Sequence, residues 1–194
     1  MKQKSRTEYS VMNTTVAFLA QTLAIFMGFF TRVVFTRTLS EGYVGINGLF
    51  TDILNILSLS ELGVGTAITY ALYAPIARRD IKKQQILMRM FRNFYRITAG
   101  FVVLAGLCLI PFLDILMKDR PDVNHLIIIY LLYLLNSVVS YLLIYKKTLV
   151  DAHQMNYITV MYHNGFLVLQ DILQIIVLFL TRNFILFLVI AVVC

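Results

Sequence analysis

The 194 residues are 59% hydrophobic and 14% charged, where a soluble globular domain carries about 45–50% apolar and about 25% charged positions. Seventeen Lys and Arg against ten Asp and Glu give a net charge of +7; combined with a mean hydropathy of +0.79, that excess points to an integral membrane protein and away from nucleic-acid binding. So much apolar surface also excludes intrinsic disorder, and Cys108 and Cys194 lie in apolar runs where they make neither a disulfide framework nor a metal motif.

Uncharged runs mark the membrane spans, because a charge at the bilayer centre costs a few kcal/mol and ~20 apolar residues cross the hydrocarbon. The first run covers residues 9–31. Lys2, Lys4 and Arg6 precede it as in a signal peptide, but Asn13, Thr14, Thr15 and Gln21 interrupt it and further spans follow, so it reads as a retained first helix. Residues 43–73 form the second span and carry Asp52 and Glu61. Runs 97–113, 123–145 and 152–170 follow, the last continuing past Asp171 to residue 181. A final run from Asn183 to Cys194 is about 12 residues, too short to cross at ~1.5 Å per residue. The expected fold class is therefore all-α. It is a polytopic membrane helix bundle of five full transmembrane helices and a sixth cut off at 194, in a single membrane domain over residues 1–194.

Orientation follows from the cations. With the N-terminus inside, Lys2, Lys4, Arg6, the seven cations of residues 78–96, Lys146 and Lys147 make twelve inner charges. Arg32, Arg37, Lys118, Arg120 and Arg182 make five outer ones. The excess predicts a cytoplasmic N-terminus. On a helical wheel Arg78, Arg79, Lys82, Arg89, Arg92 and Arg96 fall within an arc of roughly 140°, as in a basic amphipathic helix that meets anionic lipids at the inner interface; a topology-setting loop is the plainer reading.

The second span carries the most information. Asn47, Gly48, Thr51, Asp52, Asn55, Ser58, Gly65 and Thr66 share an arc of about 140°, a polar stripe that must face other helices or water. Glu61 sits at the stripe's edge, beside a neighbouring helix. Arg32 and Asp52 stand at comparable depths on successive helices, so they either form an ion pair or present a cation and its tuning carboxylate to an anionic substrate. Gln21 is a weaker candidate for lining the path. In the fourth span Tyr130, Tyr133, Ser137, Ser140 and Tyr141 share a face with Asn136 beside it, suited to sugar rings or to packing. Gln170, Asp171 and Gln174 cluster in the fifth, where Asp171 pairs, carries a proton or faces the cavity.

No metal or catalytic constellation accompanies these residues. His125, His153 and His163 lack helical metal spacing, and no serine or cysteine nucleophile has a placed base. Gly63 and Gly65 make a lone GxG without a phosphate-binding fingerprint. No cofactor is expected, and the chain does not read as an enzyme.

Residues 31–80 carry a pattern of Arg32 ending the first helix, then Gly42, Gly45, Asn47 and Gly48, then Ser60, Glu61, Leu62 and Gly63, then Ala71, Leu72 and Tyr73 before a basic loop. This stretch resembles the first-to-second helix region of bacterial polysaccharide (lipid-linked oligosaccharide) flippases, in the multidrug, oligosaccharidyl-lipid and polysaccharide exporter superfamily. The resemblance implies a cytoplasmic-membrane transporter of ~12 to 14 helices in two lobes, flipping an undecaprenyl-pyrophosphate-linked oligosaccharide outward for cell-surface polysaccharide synthesis by alternating access. It implies that Arg32 meets the pyrophosphate and that Asn47, Asp52, Asn55 and Gln21 line the path, with Glu61 and Asp171 in coupling or helix pairing. The chain then corresponds to an N-terminal lobe completed by a second lobe or partner chain. A multidrug or cation antiporter of the same superfamily is the competing reading, for which the first helix lacks an acid; a non-transporting scaffold subunit is the third.

Overall fold

The computed structural model describes residues 6–58, 64–113, 117, 123, 125–153 and 155–194. All regular structure among them is helical: α1 (Arg6–Thr38), α2 (Glu41–Ser58), α3 (Val64–Ala77), α4 (Ile81–Leu109), α5 (Leu126–Ala152), α6 (Asn156–Thr181) and α7 (Phe184–Val193), with a 3-10 turn at Ile110–Phe112 prolonging α4. Four stretches are long and apolar enough to cross a bilayer: Val11–Thr38, Ile81–Phe112, Leu126–Ala152 and Asn156–Thr181. The architecture is that of a multi-pass membrane protein.

Of the five full spans and truncated sixth expected, these four are seen among the described residues. The run 43–73 is described as α2 and α3, with residues 59–63 between them outside the described residues, and neither piece by itself meets the length and hydropathy of a span. The polar stripe explains α2, because each Asn, Asp or Thr lowers the mean hydropathy of a helix that carries its apolar residues on the other face. The two still occupy one track: Ile46, Phe50 and Ile53 of α2 pack near the start of α5, whereas Ile68 and Leu72 of α3 pack against its later turns. α7 has ten residues, ~15 Å of helix, and stops short of a crossing.

Local chemistry fixes the helix ends. Asp80 caps α4 by accepting from the Lys83 amide at 3.0 Å, and Arg79 turns the chain there with φ 54°. Asn183 caps α7, its side chain accepting from Ile185 N at 2.9 Å. α6 closes on Arg182 in the left-handed region, so Arg182 and Asn183 suffice to reverse the chain. Thr31, Thr98, Thr148 and Thr181 return their hydroxyls to carbonyls four residues back, which satisfies them without water.

Two contacts set the directions of the helices. Asn13 Oδ1 accepts from the Tyr157 backbone N–H at 2.8 Å, which joins the first turns of α1 and α6 and makes them parallel. Tyr130 near the start of α5 donates to the Gly106 carbonyl near the end of α4 at 2.8 Å, so those helices are antiparallel. Gly106 allows this closeness, since a Cβ there would lie 2.5 Å from Leu134 Cδ1.

The core divides by end. One cluster joins Phe35 and Leu39 of α1 to Phe50, Ile129, Tyr130, Leu178 and Phe184; its rings meet edge to face, Phe50 and Tyr130 at 5.1 Å and Tyr43 and Phe184 at 5.2 Å. The other joins Ile68 and Leu72 to Phe91, Tyr95, Val102 and Tyr141 at the opposite end. That second end also gathers Arg78, Arg79, Lys82, Lys83, Arg89, Arg92 and Arg96, with Lys146 and Lys147, while Arg37 and Arg182 lie at the first. α4 carries the basic segment as helix from Ile81 onward, and α5 runs through Lys146 and Lys147 to Ala152. Most of the loop 118–124 lies outside the described residues.

Candidate functional site

The polar residues of the bundle converge at one place. A cavity of about 190 Å³ is lined by Asn47 of α2, Tyr133 and Asn136 of α5, Gln170 and Gln174 of α6, and Leu188 and Ala191 of α7. Each helix contributes through its period: Tyr133 and Asn136 are three apart, Gln170 and Gln174 four apart, so each pair points from one face.

The hydrogen bonds hold this ring in place. The Tyr133 hydroxyl donates to Asn47 Oδ1 and ties α5 to α2. Gln174, 3% exposed, donates its amide to the Phe187 carbonyl at 3.0 Å, which seats α7 against α6. Asn136 is exposed and Gln170 half-buried, so both side chains present amides to a ligand in the cavity.

Arg32 supplies the charge. It lies near the C-terminal end of α1, its guanidinium carbon 5.5 Å from the centre of the Phe35 ring and close enough to Tyr133 to act on it electrostatically. The expected ion pair is not formed: among the described residues Arg32 has no salt bridge to Asp52. Asp52 is exposed on α2, and its helical face turns away from the bundle with Thr51 and Asn55, because Ile46, Phe50 and Ile53 on the opposite face are the ones that pack. Asn55 is also exposed and makes a further interaction.

The other expected positions scatter. Gln21 is exposed on α1, outside the cavity lining. Asp171 is half-buried against Thr31 of α1, which places it between α1 and α6, apart from the cavity lining. Glu61 lies outside the described residues, as do Ser60, Leu62 and Gly63. Sequence reasoning did not foresee α7 as a wall of the site; its one signal is Asn183, a helix-capping residue after a left-handed Arg182.

This arrangement suits a ligand that offers hydrogen-bonding groups and an anion. Four amide side chains and a phenol face one space, Arg32 acts electrostatically on that phenol, and no carboxylate lines the cavity. Among the described residues no cluster of three or more His, Cys, Asp or Glu exists that would hold a metal ion. No protein-family model matches the chain, and neither a curated protein nor a solved structure matches it.

Proposed function

We propose that the chain is one lobe of a transporter that moves a lipid-linked oligosaccharide across the bacterial cytoplasmic membrane, with the N-terminus inside. The observation that supports this reading most is the cavity lined by Asn47, Tyr133, Asn136, Gln170 and Gln174, whose tyrosine feels the charge of Arg32. Amides and a phenol are the donors and acceptors that sugar hydroxyls need, and Arg32 offers a fork of donors to a phosphate that no pH change removes. The likeness of residues 31–80 to the flippases adds the substrate class. Thr51, Asp52 and Asn55 then face a central path, because polar side chains exposed on an otherwise apolar surface need water or a second lobe beside them. A cation antiporter would place a carboxylate in the cavity; Asp171 instead lies against Thr31, outside the cavity lining, which favours the anionic substrate.

The test is retention of a polyprenyl-pyrophosphate disaccharide by the purified chain in nanodiscs, read by native mass spectrometry. Arg32→Ala loses charged hydrogen bonds of ~1.5–3 kcal/mol each, so affinity falls roughly tenfold or more, and Arg32→Lys recovers part of it. Adding Asp52→Asn to Arg32→Ala restores nothing. Unchanged retention by Arg32→Ala overturns the phosphate role, and retention of tetraphenylphosphonium in place of the glycan lipid supports the antiporter.

A further inference from the structure

The basic end of the bundle contains a second place built for an anion, distinct from the cavity near Arg32. α4 carries Gln85, Met88, Arg89 and Arg92 at successive helical contacts, and with Tyr145 of α5 they line a groove of about 420 Å³. The Nε of Arg92 is enclosed and has no hydrogen-bond partner. An enclosed guanidinium nitrogen without an acceptor is costly unless a ligand supplies one.

Among the described residues no acidic side chain pairs with the arginines of the groove. Residues 81–113 contain no Asp or Glu, and among the described residues neither Arg89 nor Arg92 is in an ion pair. The single acid of the adjoining turn, Asp80, is engaged in capping α4. Lys147 is oriented elsewhere, acting on Asp151 and His163.

Depth identifies the layer in which the groove sits. The hydrocarbon is ~30 Å thick and the headgroup regions extend the bilayer to ~40–45 Å, which leaves roughly 5–8 Å of headgroups on each side. Arg96 is the first cation beyond the uncharged run of α4. At ~1.5 Å per residue Arg92 lies about 6 Å and Arg89 about 10 Å farther out. Tyr145 ends the uncharged run of α5 just before Lys146 and Lys147, the level at which interfacial tyrosines collect. Arg92 therefore stands in the headgroup layer and Arg89 just outside it, from where its long side chain reaches back toward the phosphates, with Met88 offering an apolar wall to the glycerol or acyl portion of a lipid.

We propose that the groove between α4 and α5 is a specific site for a phosphate ester, held by Arg89 and Arg92 and completed by Gln85 and the Tyr145 hydroxyl, and that its occupant is an anionic phospholipid headgroup. This goes beyond diffuse attraction of seven cations to a charged surface, because two of them are singled out by lining one groove together.

The experiment uses the whole chain in detergent with dioleoyl phosphatidylglycerol, dioleoyl phosphatidylcholine and inorganic phosphate as probes, bound lipid being counted by native mass spectrometry. Wild-type protein is expected to retain one phosphatidylglycerol in preference to phosphatidylcholine. Arg89→Gln and Arg92→Gln each lower that retention roughly tenfold, whereas Arg78→Gln, an equal loss of charge outside the groove, changes it less than about twofold. Tyr145→Phe, which keeps the ring and removes one hydroxyl, lowers it by a few-fold and keeps the test available if an arginine variant fails to fold. Displacement of the lipid by millimolar inorganic phosphate assigns the same arginines to a soluble phosphate and overturns the lipid as occupant. Equal losses from Arg78→Gln, Arg89→Gln and Arg92→Gln overturn the site altogether and leave surface attraction.

Discussion

The hydroxyl of Tyr133 donates to the side-chain oxygen of Asn47, across a separation of 86 residues in the chain. This bond ties α2, with its polar stripe, to α5, and the Phe50 ring, 5.8 Å from that of Tyr133, packs one turn away. Polar side chains in a membrane interior hold helices together only when they find each other, because lipid gives them nothing in exchange.

Tyr133→Phe keeps the ring contacts and removes the donor, so it is expected to destabilise the chain by about 0.5–1.5 kcal/mol. Asn47→Leu removes the acceptor. The double variant should cost less than the sum of the singles, and that coupling is measured by thermal unfolding in detergent; strict additivity would mean that the bond contributes nothing in solution.

Gly106→Ala is expected to loosen the α4–α5 contact. The new methyl would stand 2.5 and 2.9 Å from the terminal carbons of Leu134, a residue only 4% exposed, and overpacking of this kind costs ~1–3 kcal/mol. Gly100→Ala on the same helix meets open space and should leave the unfolding midpoint unchanged or raise it. Leu134→Ala combined with Gly106→Ala should recover part of the loss; a pair of alanines that behave alike would refute the close approach.

The exposed face of α2 is expected to be wet. In a chain whose exposed Cys108 and Cys194 have been replaced by serine, cysteines at Thr51, Asp52 and Asn55 should react with a membrane-impermeant thiol reagent in open membranes. A cysteine at the buried Ile53 should not. Equal labelling of both faces would place the helix in a different rotation.

Orientation is open to the same chemistry. A cysteine at Lys83 is expected to be protected from the impermeant reagent in intact cells, and one at Arg182 to be labelled, since the two lie at opposite ends of the bundle. The reverse pattern would put the basic end outside.

The caps of α7 give a stability test of the cavity wall. Asn183→Ala removes the acceptor for Ile185 N and Leu186 N and is expected to cost ~1 kcal/mol. It should also weaken the Gln174–Phe187 bond that closes the site, seen as faster amide exchange in residues 184–188 with the rest of α6 unchanged.

How much of this was readable in the chain depends on the kind of force involved. Bilayer crossing is a matter of local transfer free energy, and the uncharged runs 9–31, 123–145 and 152–170, the last continuing past Asp171, announced helices α1, α5 and α6. The faces were readable too, because Tyr133 with Asn136, Gln170 with Gln174, and Asn47 with Thr51 repeat at helical spacing whatever surrounds them. Partner choice was not. Lipid tails are as apolar as leucine and give no preference for one rotation of a helix over another, so packing of small and large side chains decides which polar faces meet. That is why Asp171 settled against Thr31, and why Arg32 approached Tyr133 and left Asp52 alone. It was Gly106 beneath Leu134 and Phe50 against Tyr130 that set α5 in its rotation, and only that rotation brought Tyr133 to Asn47 and the two glutamines to the same cavity.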